Sequence, residues 1–364
     1  MSDLIVKIQP ITDLRPHSNA DNLEIVIIGG WQVCAKKSEF SIGEEVLFIP
    51  VDAMIPYSLS DSWGISSYLR GVDKRNVAGS QYEKAARVRA IKLRGEPSLG
   101  VVIPNTENLE VGVDLKEHFG IYKYEEPEKP TGGGAGRQSR NSPFWHKYTN
   151  VENLRNYPSI FMNSEPVIIS EKLHGMNHFC GLALVQGEEN RNKEFIISSH
   201  EHQRVIGEGG NFEAPIHLYR LEEMVNAIYD EVFTENQESF ISIYAFGEIL
   251  GSQDLMYNCK SGQLDYRCFD IAINGKYIPY DEMIRYSSSF DIPLVPLLYN
   301  GPYSEQLVWD LTKGKSVVEG SNNIKEGVVV RANPERTDPR IGRVILKLLS
   351  DDYLTRKGKT TEFH

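Results

Sequence analysis

The feature that most constrains this chain is a stretch with almost nothing to pack. Pro130-Thr131-Gly132-Gly133-Gly134-Ala135-Gly136 follows the charged segment from Glu125 to Lys129 and runs on through polar residues to Pro143. Gly-rich, polar chain of this kind is a flexible connection. Residues 130–143 are therefore expected to link two folded parts, 1–129 and 144–364. Each part is long enough to bury a core of its own. With 40% apolar and 10% aromatic residues the chain is not a disordered protein. It contains no run of about 18 apolar residues. The start, Met1-Ser2-Asp3-Leu4-Ile5-Val6, lacks the basic region and long apolar run of a secretory signal. Cys34, Cys180, Cys259 and Cys268 form no C-x-x-C pair. A reduced, intracellular (cytoplasmic) chain is expected, with a phage or virus source left open. The net charge of −11 excludes a uniformly basic coat but not a local basic groove.

Before the linker, Leu23 to Ile28, Glu45 to Ile49, Ala86 to Leu93 and Gly100 to Ile103 are short β-rich segments separated by Gly, Pro, Asn and Asp. That pattern predicts a small all-β barrel. After the linker, Leu221, Met224, Val225 and Ile228 fall at helical spacing, which predicts an amphipathic helix from about Ile216 to Phe233. Phe240 to Phe246, Phe269 to Ile273, Gly327 to Val330 and Arg343 to Leu348 read as strands. The larger part is thus α+β with much antiparallel sheet.

The most informative run is Ser170-Glu171-Lys172-Leu173-His174-Gly175-Met176-Asn177, set between the strand-like Val167 to Ile169 and Phe179 to Leu184. Alone, such a run reads as a solvated loop. Two acids lie in or beside strand-like segments: Glu248 after Ala245-Phe246-Gly247, and Glu326 before Gly327-Val328-Val329-Val330. Lys347 sits inside the apolar run Val344 to Leu349. A lysine there faces inward or onto a cleft, or guards an edge strand.

In this order the residues resemble the motif set of covalent nucleotidyltransferases, the superfamily of RNA ligases, DNA ligases and mRNA capping enzymes. Lys172-x-His174-Gly175-x-Asn177, with histidine third, looks like RNA ligases; DNA ligases and capping enzymes usually carry aspartate there. The resemblance implies an α+β nucleotidyltransferase domain with ATP-grasp-like antiparallel sheets. It implies that Lys172 attacks the α-phosphate of ATP, expels pyrophosphate and carries AMP. Glu248 then matches the third-motif acid at the ribose or metal, Glu326 the fourth-motif acid at Mg²⁺ or Mn²⁺, and Lys347 the fifth-motif lysine at the α-phosphate. Phe269, in Arg267-Cys268-Phe269-Asp270-Ile271, looks like the aromatic that stacks on adenine and fits a core equally well. Glu171, Gly175 and Asn177 flank the nucleophile as adenylate contacts. The chemistry suits these residue types. A free lysine has a pKa of about 10.4 and is no nucleophile at neutral pH; a nearby cation favours its neutral amine. Charge developing on phosphoryl oxygens calls for fixed positive groups, and a magnesium site needs only one or two carboxylates.

Two departures from the family pattern leave alternatives open. The fifth motif often reads K-x-K, yet Lys347 is followed by Leu348 and Leu349, so a further phosphate contact comes from Lys325, Arg343 or elsewhere. The second motif normally offers Ser-Arg. Here Ser199-His200-Glu201-His202-Gln203-Arg204 leaves either His200 or Arg204 for the nucleic-acid phosphate or ATP. His200 and His202 share a strand face with no obvious third zinc ligand. Arg155 or Lys147 is a further candidate for ATP phosphates, within the basic stretch Arg137, Arg140, Lys147 and Arg155.

The N-terminal part adds Pro16 to Glu24 and Arg94-Gly95-Glu96-Pro97-Ser98-Leu99-Gly100 to Pro104, which resemble the OB-fold module of some aminoacyl-tRNA synthetases. A similar N-terminal module occurs in the Naegleria/Deinococcus-type RNA ligases, whose tail Tyr353 to His364 also resembles. OB barrels bind nucleic acid with basic side chains and stacking platforms on one face. Lys84, Arg87, Arg89, Lys92 and Arg94 form the dense basic strip, and on a continuous strand Arg87 and Arg89 share a face. The expectation is a monomeric, ATP-dependent RNA ligase, without membrane contact. It would seal 3′-hydroxyl/5′-phosphate nicks in duplexes whose 3′-hydroxyl end is RNA. The alternatives are a DNA ligase or capping-type guanylyltransferase using the same lysine, and a non-catalytic OB-type RNA-binding protein.

Overall fold

Strand Trp31–Lys36 turns Trp31, Val33 and Ala35 inward, the alternation expected of a strand with one face on a core. It closes an antiparallel meander with Leu23–Ile28 and Asp13–Pro16. The turn between Ile28 and Trp31 uses Gly29 at φ 57, left-handed backbone that glycine adopts without a Cβ penalty. Glu45–Pro50 is the centre of a second sheet, between Lys7–Pro10 and Gly100–Pro104. A third sheet joins Tyr122–Lys123, Ala53–Pro56, Ala85–Arg87 and Val72–Asp73. Val6, Ile8, Leu47, Ile49, Ile55 and Val88 fill the core these strands share. Each side chain so buried contributes roughly 1.5–3 kcal/mol.

The computed structural model describes residues 2–69, 72–73, 85–124, 136–145, 147–185, 192–236 and 241–356. It divides into two compact units. The first comprises Met1–Pro127, Asn150–Met162 and Ile345–His364; the second comprises Glu128–Thr149 and Asn163–Val344. In the first unit, Glu152–Asn153 pairs in parallel with Ile345–Leu349. Gly30 approaches the 150–162 segment so closely that a Cβ would stand 2.7 Å from Arg155 Cα. Residues 130–135 of the expected linker and 357–364 of the tail lie outside the described residues. The described part of the linker is tied down: Ser139 N–H donates to Gln203 O at 2.9 Å, and Ser142 N–H to Gln203 Oε1 at 2.9 Å.

The second unit carries two antiparallel sheets. In one, Pro166–Lys172 lies between Gly327–Ala332 and Leu297–Pro302. The other orders Gln203–Arg204, Asn192–Ser199, Met176–Val185, Ser242–Leu250, Asp265–Ile273 and Lys276–Tyr277. Helix Leu221–Asn236 lays Leu221, Met224, Val225 and Ile228, all fully buried, on one face of this six-stranded sheet, against Cys180, Leu182 and Ile243. Glu222 and Glu223 in its first turn complement the helix dipole. The opposite face is aromatic: Phe179 lies 5.2 Å from Phe246, which lies 5.0 Å from Tyr148.

Three expected elements are divided. The helix from Ile216 to Phe233 is two, Ala214–Leu218 and Leu221–Asn236, because Tyr219 is extended at φ −134, ψ 161. The strand from Ala86 to Leu93 is Ala85–Arg87 and Ile91–Leu93. Val88 leaves the ladder between them, bonding Asp52 N–H and Ala53 O. The last strand is split at Val344 into Gly342–Arg343 and Ile345–Leu349.

Candidate active site

Lys172 ends its strand opposite Gly327, which sets Glu326 beside it. Lys172 Nζ donates to Glu326 Oε1 at 2.7 Å; the lysine side chain is 18% exposed and the glutamate is fully buried. The chain then turns through His174-Gly175 into Met176–Val185, where Asn177 faces Glu248 in register. Gly175 is required by close approach, since a Cβ would lie 2.2 Å from Ile249 O and 3.0 Å from Glu248 Cγ. Gly175 N–H donates to the Glu248 carboxylate. His174 N–H donates to Tyr257 Oη at 2.7 Å, and His174 Nε2 lies 2.9 Å from Asp254 Oδ1.

Electrostatics bind this group together. Burial pushes the Glu248 carboxyl up to about 8; Lys172 draws it back and Glu326 adds to the rise. Burial also raises Tyr257, and the charges of Glu326, Glu171 and Glu248 raise it further. Glu326 Oε2 is buried without a hydrogen-bond partner, 3.8 Å from His174 Nδ1. A buried carboxylate oxygen left so, beside another acid forced toward neutrality, has the donor chemistry to hold a divalent cation with waters and substrate oxygens completing the shell. Glu326 and Glu248 are the residues that would hold it. No cluster of three acidic, His or Cys ligands occurs among the described residues.

Glu171 lies beneath the nucleophile's strand end and ties a neighbouring loop to it. Its carboxylate is 1% exposed and accepts Val317 N–H at 2.8 Å. The Ser316 hydroxyl bonds it too, against the upward push of burial. Through Oε2 it fastens the loop ahead of Glu326, while its Oε1 is buried without a hydrogen-bond partner.

Sheet alternation sorts the second-motif candidates. Phe179 pairs with Ser198 and Phe246, so Asn177, Phe179, Ser198 and Glu248 share the aromatic face. His200 lies in the bend just past the end of that strand at Ser199. Arg204 pairs with Ile197 and lies over Phe212 at 4.7 Å, on the helix-covered face. Burial and the Lys147 charge lower His200 to about 4. Lys147 reaches Glu201 Oε1 at 2.5 Å. Phe269 is half-buried at a bulge opposite Phe246/Gly247, with its ring edge-on to Tyr148 at 5.1 Å, so it too belongs to the aromatic face. Arg343 bonds Asp270 at 2.6 Å and the Glu335 carboxylate, and Lys325 Nζ bonds Leu311 O at 2.8 Å. Both candidate replacements for a second fifth-motif lysine are thus engaged internally.

In the first unit, Lys347 is 2% exposed and in register with Asn153. Arg155, the other phosphate candidate, is engaged within this unit. It is buried, with bonds to Gly30 O at 3.0 Å, Leu349 O at 3.2 Å and Asp351 Oδ1 at 2.6 Å. Arg87 is likewise internal, donating from Nε to Asp52 at 2.7 Å beneath Tyr124. It shares no face with Arg89, because the strand ends between them. Arg89 and Arg94 are exposed, and Lys92 pairs with Asp352 at 2.8 Å. Lys84 lies outside the described residues. Sequence reasoning missed Tyr257 and Asp254, which sit in a loop some eighty residues from the lysine turn and carry no motif.

A strand-end lysine among carboxylates, on paired antiparallel sheets and with a β-barrel unit in the same chain, defines a nucleotidyltransferase of the RNA/DNA ligase type. The RNA ligase family model matches residues 165–349, more than half of the chain, and an OB-fold domain model matches residues 5–105. The chain belongs to the RNA ligase family and is a ligase acting on RNA. Solved structures of Naegleria gruberi RNA ligase share the fold. A glutamate-to-alanine variant of it with ATP and manganese matches at TM-score 0.72 and 19% identity, covering 97% of this chain and 98% of that one. The same ligase with pyrophosphate matches at TM-score 0.70 and 20% identity, covering 97% and 98%. A lysine-to-alanine variant with ATP and manganese matches at 0.72 and 20%, covering 96% and 98%. No curated protein sequence matches this chain. No helix among the described residues is long and apolar enough to cross a membrane.

Proposed function

We propose that this chain is an ATP-dependent RNA ligase that seals 3′-hydroxyl/5′-phosphate nicks in duplexes with an RNA 3′-hydroxyl end. The observation that carries the reading is Lys172 Nζ 2.7 Å from buried Glu326, on a turn pinned by Glu248. The Lys172 amine attacks the α-phosphorus of ATP; a nitrogen–phosphorus bond forms, the bond to pyrophosphate breaks, and the amine gives up a proton. The 5′-phosphate of the RNA then takes AMP from Lys172, and the 3′-hydroxyl attacks that phosphate and releases AMP. In the resting site Lys172 Nζ donates to the Glu326 carboxylate. A divalent cation on Glu326 and Glu248 would supply the opposing charge that favours the free amine and offsets charge on the phosphoryl oxygens.

Asn177 and Gly175 border the nucleotide, Phe269 offers a ring face for adenine, and His200, beside Lys147, is the phosphate contact that replaces the second-motif arginine. Lys347 is assigned to the α-phosphate by motif order alone. Exposed Arg89 and Arg94 supply phosphate contacts for RNA on the barrel. The test is label transfer from α-labelled ATP. The wild-type chain should become labelled from ATP and not GTP, and Lys172→Ala should not. Persistent labelling of Lys172→Ala overturns the assignment. Equal sealing of nicks with ribose or deoxyribose at the 3′-hydroxyl end would remove the RNA-specific part.

A further inference from the structure

We infer that the loop between strands Ser242–Leu250 and Asp265–Ile273 is a clamp on the nucleophile's turn, with Tyr257 and Asp254 as its positioning residues. The inference rests on the reading of Lys172 as nucleophile. Both residues act on His174, one at the backbone and one at the ring: its N–H donates to Tyr257 Oη at 2.7 Å, and its Nε2 meets Asp254 Oδ1 at 2.9 Å. Tyr257 is 3% exposed, so its hydroxyl is held where water cannot substitute for it.

The loop is itself held in a costly shape. Tyr257 and the adjacent Asn258 sit at φ 46 and 75, left-handed backbone for two non-glycine residues. Such conformations persist only where surroundings over-determine them. The surroundings are the loop that leads to Glu326. The Asn323 side-chain oxygen, in the orientation that satisfies its neighbours, accepts Met256 N–H at 3.0 Å and Tyr257 N–H at 2.9 Å. Gly320 packs on Asn258 so closely that a Cβ would stand 2.5 Å from Asn258 Nδ2. The same loop is fastened to the nucleophile's own strand through Val317 and Glu171. Two loops remote in sequence therefore enclose the turn that follows Lys172, and one of them ends at the acid that pairs with it. The clamp fixes where Lys172 Nζ and Glu326 meet. A nucleophile misplaced by about 1 Å loses roughly a hundredfold in rate.

Single-turnover label transfer from α-labelled ATP tests this, with the wild-type chain measured in the same series. Tyr257→Phe keeps the ring and removes the acceptor of the His174 N–H. The rate at saturating ATP should fall ten- to a hundredfold, while the ATP concentration for half-maximal rate stays within threefold and the melting temperature stays close to wild type. Asp254→Ala should slow the same step about tenfold, and Asp254→Asn, which keeps an oxygen for the ring N–H, should restore most of it. A wild-type rate in Tyr257→Phe overturns the clamp. So does an Asp254→Asn variant as slow as Asp254→Ala, because charge and not placement would then be the cause. If the wild-type chain takes no label, the nucleophile assignment fails first and the clamp falls with it.

Discussion

Replacing Gly175 with alanine tests the geometry of the site more directly than removing a charge. The new Cβ would fall 2.2 Å from Ile249 O, 2.9 Å from Ile249 C and 3.0 Å from Glu248 Cγ. Ordinary van der Waals contact begins at 3.4 Å, so the turn has to lift off the Ser242–Leu250 strand by about 1 Å. Two of the three obstructing atoms are backbone in the middle of a sheet, so the turn moves and the strand does not. Overpacking of this kind destabilises by about 1–3 kcal/mol, or roughly 2–12 °C in melting temperature for a unit of this size. Lifting also withdraws the Gly175 N–H from Glu248 and carries Lys172 away from Glu326. A displacement of about 1 Å is worth about a hundredfold in rate. Gly175→Ala should therefore fold, melt several degrees lower, and transfer label from α-labelled ATP to itself about a hundred times more slowly at saturating ATP. A folded variant that labels within threefold of the wild-type rate would refute the argument, because the close approach would then not be what places the nucleophile.

Three further outcomes follow from the charges. Arg87→Ala strands Asp52 in the barrel and should destabilise the first unit by about 3–5 kcal/mol, whereas Arg89→Ala with Arg94→Ala should spare stability and flatten the salt dependence of RNA binding by one to two phosphate contacts. Thermal melts and binding at several salt concentrations separate these, and a stable Arg87→Ala that has lost RNA affinity would show that arginine on the binding face. Glu326→Gln should raise at least tenfold the Mg²⁺ or Mn²⁺ concentration needed for half-maximal self-labelling; an unchanged requirement removes Glu326 as a cation ligand. His178 is fully buried with Nε2 on Phe212 O, and burial lowers it to about 3 from an ordinary 6.5. The fold holds the neutral ring, so its contribution is complete above about 6.5 and is lost as pH falls toward 3, at about 1.4 kcal/mol per pH unit. Denaturant melts from pH 7 to 4 should show that slope reduced by one proton in His178→Gln; an identical slope in both proteins would place the titration elsewhere.

The parts legible in the sequence are those in which residue type and local order carry the physics. β-rich runs bounded by Gly, Pro, Asn and Asp marked the strands Leu23–Ile28 and Glu45–Pro50 almost to the residue, and the helical spacing of Leu221, Met224, Val225 and Ile228 marks the face that is in fact buried. Division of the longer elements was not legible, because it depends on tertiary partners. Val88 leaves its strand to bond Asp52 and Ala53, so Arg87 ends buried while Arg89 ends exposed. Alternation across an unbroken strand cannot foresee that. The lysine turn and its two acids, singled out through the order of the family's motifs, lie together in the structure. Tyr257 and Asp254 were not, since a hydroxyl that accepts one backbone N–H leaves no periodic trace.

Basic residues show best why a candidate list read from sequence shrinks on folding. A lysine or arginine in a run of like neighbours looks available, yet whether it is depends on an acid that the run does not contain. Asp52 takes Arg87, Asp351 takes Arg155, Glu201 takes Lys147, and Asp270 with Glu335 takes Arg343. The partners lie 35, 196, 54 and 73 residues away for Arg87, Arg155, Lys147 and the Asp270 contact of Arg343. The excess of acids over bases in this chain thus does more than set its net charge. It sorts buried cations from surface ones, because a buried guanidinium is tolerated only when paired, and a paired one has little left to give a phosphate. Among the described residues of the Lys84-to-Arg94 strip, Arg89 and Arg94 are the exposed arginines, fewer than the dense strip the sequence suggests. A ligase held to RNA by these two arginines would lose affinity only gently as salt rises, and a steep loss would mean that cations outside that strip carry the contact.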